Sequence, residues 1–183
     1  MTAPAINDLT GTYTIDPTHS RIGFSARHAM VTKVRGHFAT FEGTATLDAA
    51  DPRNSVAALT IEVLSINTAQ QQRDEHLRTN DFFDAASFPT ITFTSTGVTV
   101  VDADNFLLLG DLTIKGVTKS VSIDFEHTGT AKDPYGNLRA GFEGKAVINR
   151  KDFGIAFNAT LETGGALVGE KITLDFDISD IKQ

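Results

Sequence analysis

The sequence predicts an antiparallel all-β fold interrupted by one short helix. Three observations predict it. Apolar residues recur at alternate positions in segment after segment, turn pairs such as Asp-Pro and Lys-Gly separate the segments, and only the stretch from Asn67 to Pro89 carries a helical pattern. The 183 residues, 40% hydrophobic and 21% charged, suit one globular domain with its own core, spanning residues 1–183.

Tyr13 to Asp16 is a short first strand, closed by the turn chemistry of Asp16-Pro17-Thr18-His19. Ser20 to His28 alternates, with Ile22, Phe24 and Ala26 on one face and His28 at its end. Gly36 to Leu47 changes phase between Phe38 and Phe41, which a bulge would explain. After a turn at Asp51 to Asn54, Val56 to Ile66 places Ala57, Leu59, Ile61 and Val63 on one side.

Thr68 followed by Gln71 has the spacing of a capping box and predicts a helix from Ala69 to Arg78. An isolated helix of this length is marginal in water, so it must dock, and Leu77, Phe82, Phe83 and Phe88 supply the apolar groups for that. Arg73 and His76 share a face, while Asp74 and Arg78 have the spacing of an ion pair. The expected result is a lid with an apolar underside and a small polar cluster.

Thr90 to Val101 turns Ile91 and Phe93 inward against a row of outward threonines. Phe106 to Ile114 and Val117 to His127 flank Lys115-Gly116; a two-residue turn there pairs Phe106 with Phe125, Leu108 with Ile123, Gly110 with Val121 and Ile114 with Val117. The same register sets Lys119 opposite Leu112 and leaves Leu107 and Leu109 on the wet face, under a loop or at a subunit interface. Leu138 to Asn149, Ile155 to Leu161 and Ile172 to Ile178 complete about ten candidate strands.

A sandwich and a barrel share this alternation. Long strands, and an inward set mixing rings with Gly23, Ala57, Gly110, Ala140 and Gly144, lean toward a barrel with room for a small or slender ligand. Thirteen phenylalanines beside no tryptophan mean either a dense core or an apolar cavity lining. The net charge of −7, with basic residues dispersed, disfavours nucleic acid. Without cysteine there is no thiolate nucleophile or disulfide framework. No stretch is long and apolar enough for a membrane-spanning helix or a signal peptide, so the expected location is cytoplasmic and the protein is not membrane-integral.

No enzyme motif is present. The five histidines, His19, His28, His37, His76 and His127, lack the spacing of a zinc hydrolase, and no cofactor or metal is expected. Arg150 and Asp152 sit where a strand breaks, as an exposed turn would have them. The functional alternative places Arg73, His76 and Arg150 around a barrel mouth, meeting the polar head of an amphiphile. Phe24, Phe38, Phe93, Phe106, Phe125 and Phe142 either pack the core or line a tail pocket.

Taken together, Tyr13-x-Ile15-Asp16-x-x-His19-Ser20-x-Ile22-x-Phe24, Gly36-x-Phe38-x-x-Phe41-x-Gly43, Arg73-Asp74-x-His76-Leu77, Asp81-Phe82-Phe83-Asp84, Phe88-Pro89-x-Ile91-x-Phe93, Gly110-x-Leu112-Thr113-x-x-Gly116-Val117-Thr118-Lys119 and Arg150-x-Asp152-Phe153-Gly154 resemble the YceI-like family of polyisoprenoid-binding proteins. The motifs run in order from about Gly11 to Ile178. The resemblance implies an extended, eight-stranded, antiparallel, lipocalin-like barrel, often dimeric and often exported, that holds an isoprenoid or other amphipathic lipid. On this reading Phe24, Phe38, Phe93, Phe106, Leu108, Leu112, Ile123, Phe125, Phe142 and Phe153 form the tail channel, and His28, Arg73, His76 and Arg150 meet the head. The expected function is non-enzymatic lipid binding, transport or sequestration. The rivals are a solid-cored interaction module using Leu107 and Leu109, and a barrel enzyme with His28 or His76 as general base.

Overall fold

A computed structural model of the protein describes residues 9–159, 161 and 167–183. Eleven strand segments form one antiparallel sheet: β1 (Gly11–Ile15), β2 (Arg21–His28), β3 (Thr32–Phe38), β4 (Phe41–Leu47), β5 (Val56–Glu62), β6 (Ile66–Asn67), β7 (Thr90–Val100), β8 (Asn105–Ile114), β9 (Val117–Lys132), β10 (Leu138–Asn149) and β11 (Val168–Lys182). One helix, α1 (Gln71–Arg78), lies between β6 and β7.

The eleven segments make eight barrel strands, because β1 and β2, β3 and β4, and β5 and β6 are halves of interrupted strands. The barrel closes where β11 pairs with β2 along its first part and with β1 along its last. Consecutive strands are neighbours throughout, so the topology is an up-and-down meander. One mouth therefore carries the connections at residues 29–31, 68–89, 115–116 and 150–159, and the other those at 48–55, 101–104 and 133–137.

The three interruptions lie side by side and form a crease. Ala39 N donates to Ser65 O and Glu62 N to Thr40 O, tying the second break to the third. Each break reverses the inward phase. Ile15 and Ile22, Phe38 and Phe41, and Val63 and Ile66 are all directed inward although each pair is offset by an odd number of positions. Side chains alternate with period 2, so an uninterrupted strand would have turned half of these apolar residues to water.

The β8–β9 hairpin has the expected register, including Phe106↔Phe125, Leu108↔Ile123, Gly110↔Val121 and Ile114↔Val117. Lys115 and Gly116 both take positive φ, 51° and 75°, as a type I′ turn requires. Lys119 does oppose Leu112, yet stays exposed while Leu112 is buried. The reason lies next door. The β9–β10 ladder ends at Asp124↔Lys145, whereas β8–β9 and β10–β11 pair to their ends, so the wall splits beside Lys119 and its side chain reaches solvent. Leu107 and Leu109 are half-buried on the outer face, opposite Thr99 and Gly97 of β7.

Small residues set the interior width. A side chain at Gly110 would collide with the Phe93 ring, and one at Gly144 with the Phe125 ring, so each glycine makes room for an aromatic of the neighbouring strand. The core continues through Ile22, Phe38, Ile61, Ile91, Phe93, Leu112, Ile123 and Ile178.

Three expectations are corrected. Residues 155 to 159 form no strand, because Arg150 gathers the backbone there into a loop; residue 160 lies outside the described residues. The helix begins at Gln71 with Gln70 as its cap, the Gln70 side chain accepting from Arg73 N, because Thr68 is already engaged. Thr68 gives its hydroxyl and its N–H to Asp74 Oδ1, which removes Asp74 from the expected pair with Arg78. Arg78 donates instead to Ile66 O.

Candidate functional site

The barrel encloses a cavity of about 910 Å³ that reaches from the α1 mouth to the opposite loops. Every residue assigned to the tail channel touches it: Phe24, Phe38, Phe93, Phe106, Leu108, Leu112, Ile123, Phe125, Phe142 and Phe153. Alternation explains this gathering, since inward positions of eight strands must share one interior. The rings pack on one another without filling the space. Phe106 stacks on Phe125 at 5.7 Å between centroids, Phe142 meets Phe106 edge-on at 6.0 Å, and Phe125 lies 5.8 Å from Phe176. Phe24 and Phe38 form a second group, 5.6 Å apart, with Phe83 beyond Phe38 at 6.2 Å.

At the α1 mouth, His28, Arg73, His76 and Arg150 also reach the cavity, but their donors are differently engaged. Arg150 is only 4% exposed. It donates from Nε to Gly169 O, from Nη1 to Ile155 O and from Nη2 to Val168 O, at 2.8 to 3.1 Å. Burial pushes its proton affinity down, against the pull of Glu170. Arg150 thus holds the 150–159 loop to β11, and the exposed turn expected at this position is a buried anchor. Arg73 donates to Thr68 Oγ1 and Thr68 O, both at 2.7 Å, and remains half exposed. His76 Nε2 lies 2.8 Å from Asp81 Oδ2, and its ring stands edge-on to Phe82 and Phe157, at 5.1 and 4.9 Å. His28 is exposed at the rim where β2 turns into β3.

The opposite mouth is acidic. Asp48, Asp102, Asp104 and Asp180 reach the cavity there, with His127 the basic residue among them. Asp48 and Asp102 accept from backbone amides of their own turns, which lowers their proton affinity. Asp180 differs: it lies inward on β11 between Ile15 and Ala140, 5% exposed, and burial alone pushes its proton affinity up to about 6. The reading of the sequence missed Asp180 because it ended the last strand at Ile178. The signal was present, since Asp180 is the next residue in the inward series Ile172, Leu174, Phe176, Ile178. Phe82, Phe83 and Phe157 also line the cavity.

Among the described residues no helix is long and apolar enough to cross a membrane. Comparison with known proteins places this geometry. The family model for the YceI-like domain matches residues 13–179. A UPF0312 protein of Staphylococcus aureus strain MRSA252 is 38% identical over 173 residues, covering 92% of this chain and 98% of the relative. Among solved structures, the Campylobacter jejuni YCEI protein superposes with a TM-score of 0.74 at 30% identity, covering 86% of this chain and 90% of that one. BcnA of Burkholderia cenocepacia gives 0.77 at 22% identity, with 90% and 98% covered. A polyisoprenoid binding domain from Saccharophagus degradans gives 0.68 at 16% identity, with 93% and 98% covered, and the last two likenesses bear on the fold alone. With a family model matched over nearly its whole length and a relative of this identity, the chain belongs to the YceI-like family.

Proposed function

We propose that the protein is a non-enzymatic carrier or sequestering protein for a long isoprenoid or related amphipathic lipid. The observation that carries this reading is the cavity of about 910 Å³, walled by inward aromatic and aliphatic side chains of all eight strands. It lies near the top of the range of roughly 300–1,000 Å³ usual for small-molecule sites. The likeness to a protein described as a polyisoprenoid binding domain is consistent with such a ligand. An apolar chain gains roughly 25 cal/mol for each Å² removed from water, so affinity needs no specific tail contact. Selectivity then rests on channel length and on the polar groups at the mouths. Arg73, His76 and His28 stand where an anionic or carbonyl head at the α1 mouth would meet donors, while Arg150 holds the wall behind them.

The test is native mass spectrometry of protein purified from its own source, then organic extraction and identification of what is released. A stoichiometric isoprenoid or quinone is the expected result. Protein that carries no lipid and, after delipidation, refuses polyprenyl lipids would overturn the reading. Phe125→Glu, at the half-buried cavity wall, should abolish tail binding. Unchanged affinity in a folded variant would remove Phe125 from the channel.

A further inference from the structure

Among the described residues, two buried side-chain polar atoms lack a hydrogen-bond partner, Arg78 Nε and Asp180 Oδ1. Of the two residues, only Asp180 lines the cavity. Native proteins pair nearly all their buried polar groups, and a carboxylate buried without a donor costs several kcal/mol or takes up a proton. Folding therefore gains nothing visible from this oxygen. Leucine or asparagine would suit the same layer, which holds Ile15, Ala140 and Thr130 on the neighbouring strands.

We propose that Asp180 contacts the ligand, and that the mouth away from α1 takes a group that donates a hydrogen bond to a carboxylate, a hydroxyl or an amine carried on an apolar chain. The inference rests on the carrier reading and adds the chemistry of one end of its ligand. An acceptor left open in an otherwise apolar chamber selects a donor and repels an anionic head.

Among the described residues, the groups that face Asp180 do not supply a donor to its Oδ1. Tyr13, on β1, is fully buried and gives its hydroxyl to Leu9 O at 2.8 Å; burial, and then the Asp180 charge, raise its own proton affinity. Lys182 shares the inward face of β11 and lies half-buried over Gly11. From β9 come Thr130 and His127, and from the loops at that mouth Asp48, Asp102 and Asp104.

Delipidated protein is titrated at pH 7.5 by native mass spectrometry with three ligands of equal chain length: geranylgeraniol, geranylgeranylamine and the donorless geranylgeranyl methyl ether. Wild type should bind the alcohol or the amine at least about tenfold tighter than the ether, as a hydrogen bond to a charged group implies. Preference for the alcohol alone names a hydroxyl, and for the amine alone an ammonium. Asp180→Leu should erase the preference. Asp180→Asn should keep it for the alcohol and lose it for the amine, circular dichroism checking that both variants fold. The amine's advantage should shrink as pH falls through about 6, where Asp180 takes up its proton. Carboxyl ¹³C NMR adds a readout that a structural role would not move: saturating amine should lower the Asp180 titration midpoint, and the ether should not. If the ether binds as tightly as both donors, or Asp180→Leu keeps the preference, the proposal falls while the carrier reading stands. If none of the three binds, both fall.

Discussion

The two mouths of the barrel spend their charges in opposite ways. At the α1 mouth the cations hold backbone carbonyls: Arg150 holds three, Arg73 that of Thr68 and Arg78 that of Ile66. At the other mouth the carboxylates hold backbone amides, Asp48 those of Ala50 and Asp51, Asp102 those of Asp104 and Asn105, and Asp133 those of Tyr135 and Asn137. The difference follows the connections. Long crossings leave carbonyls without ladder partners, and an arginine fork satisfies several at once; tight turns leave amides, which a single Asp accepts. A charged residue at a channel mouth is therefore not a ligand contact by default. Asp180 stands out because, among the described residues, its buried Oδ1 has no donor.

The largest expected effect is at the α1 mouth. Arg150→Met should cost about 3 kcal/mol or more in urea denaturation, because the carbonyls of Ile155 and Gly169 lose this donor and that of Val168 keeps only Asn158 Nδ2. A cost below about 1 kcal/mol would show that the fork does not hold the wall and would return Arg150 to the ligand-head site.

At the other mouth the sign reverses. Asp180 binds its proton more tightly in the folded protein, with a value of about 6, than an ordinary aspartate does. The stability this contributes is complete below the unfolded value near 4 and is lost as pH rises through about 6. Asp180→Asn should accordingly be more stable than wild type by about 2 kcal/mol at pH 7.5 and equal to it at pH 4. Equal stability at both pH values would mean that the carboxylate is solvated in the folded protein. Below pH 4 a separate loss sets in. Arg139 first, with Thr18, His19 and some opposing burial, holds Asp16 far below the carboxylate range. At Asp133 burial works upward, but bonds from Asn137, Arg139 and Tyr135 bring it down to about 2. Both contributions are present above the ordinary aspartate value; that of Asp133 is lost as pH falls through about 2, and that of Asp16 only at still lower pH.

Arg73→Ala should weaken ligands with anionic heads about three- to tenfold and neutral ones less, measured by competition titration. Equal loss for both would confine Arg73 to supporting Thr68. His76→Ala, which removes a half-exposed pair with Asp81, should change stability by less than about 1 kcal/mol. A larger change would show that its ring contacts with Phe82 and Phe157 hold the lid.

Much of the wall was legible in the chain itself. Period-2 alternation names the inward face of β8, β10 and β11, of β7 as far as Phe93 and of β9 as far as His127, and Lys115-Gly116 sets the β8–β9 register pair by pair, because turn geometry and side-chain period are local properties. The motifs between Gly11 and Ile178 carry the family, and with it the closed barrel. Local pattern is silent where the partner is distant. The breaks at residues 16–20, 39–40 and 63–65 become one crease only when their strands lie side by side. Thr68 had the spacing of a helix cap, and the nearby Asp74 took its hydroxyl instead. In the sequence Arg150 has the look of an exposed turn residue at a strand break, and Asp180 falls beyond the last strand, Ile172 to Ile178. Only the fold brings carbonyls of residues 155, 168 and 169 to the arginine and sets the aspartate before an open cavity, because a buried charge is decided by what other strands place around it.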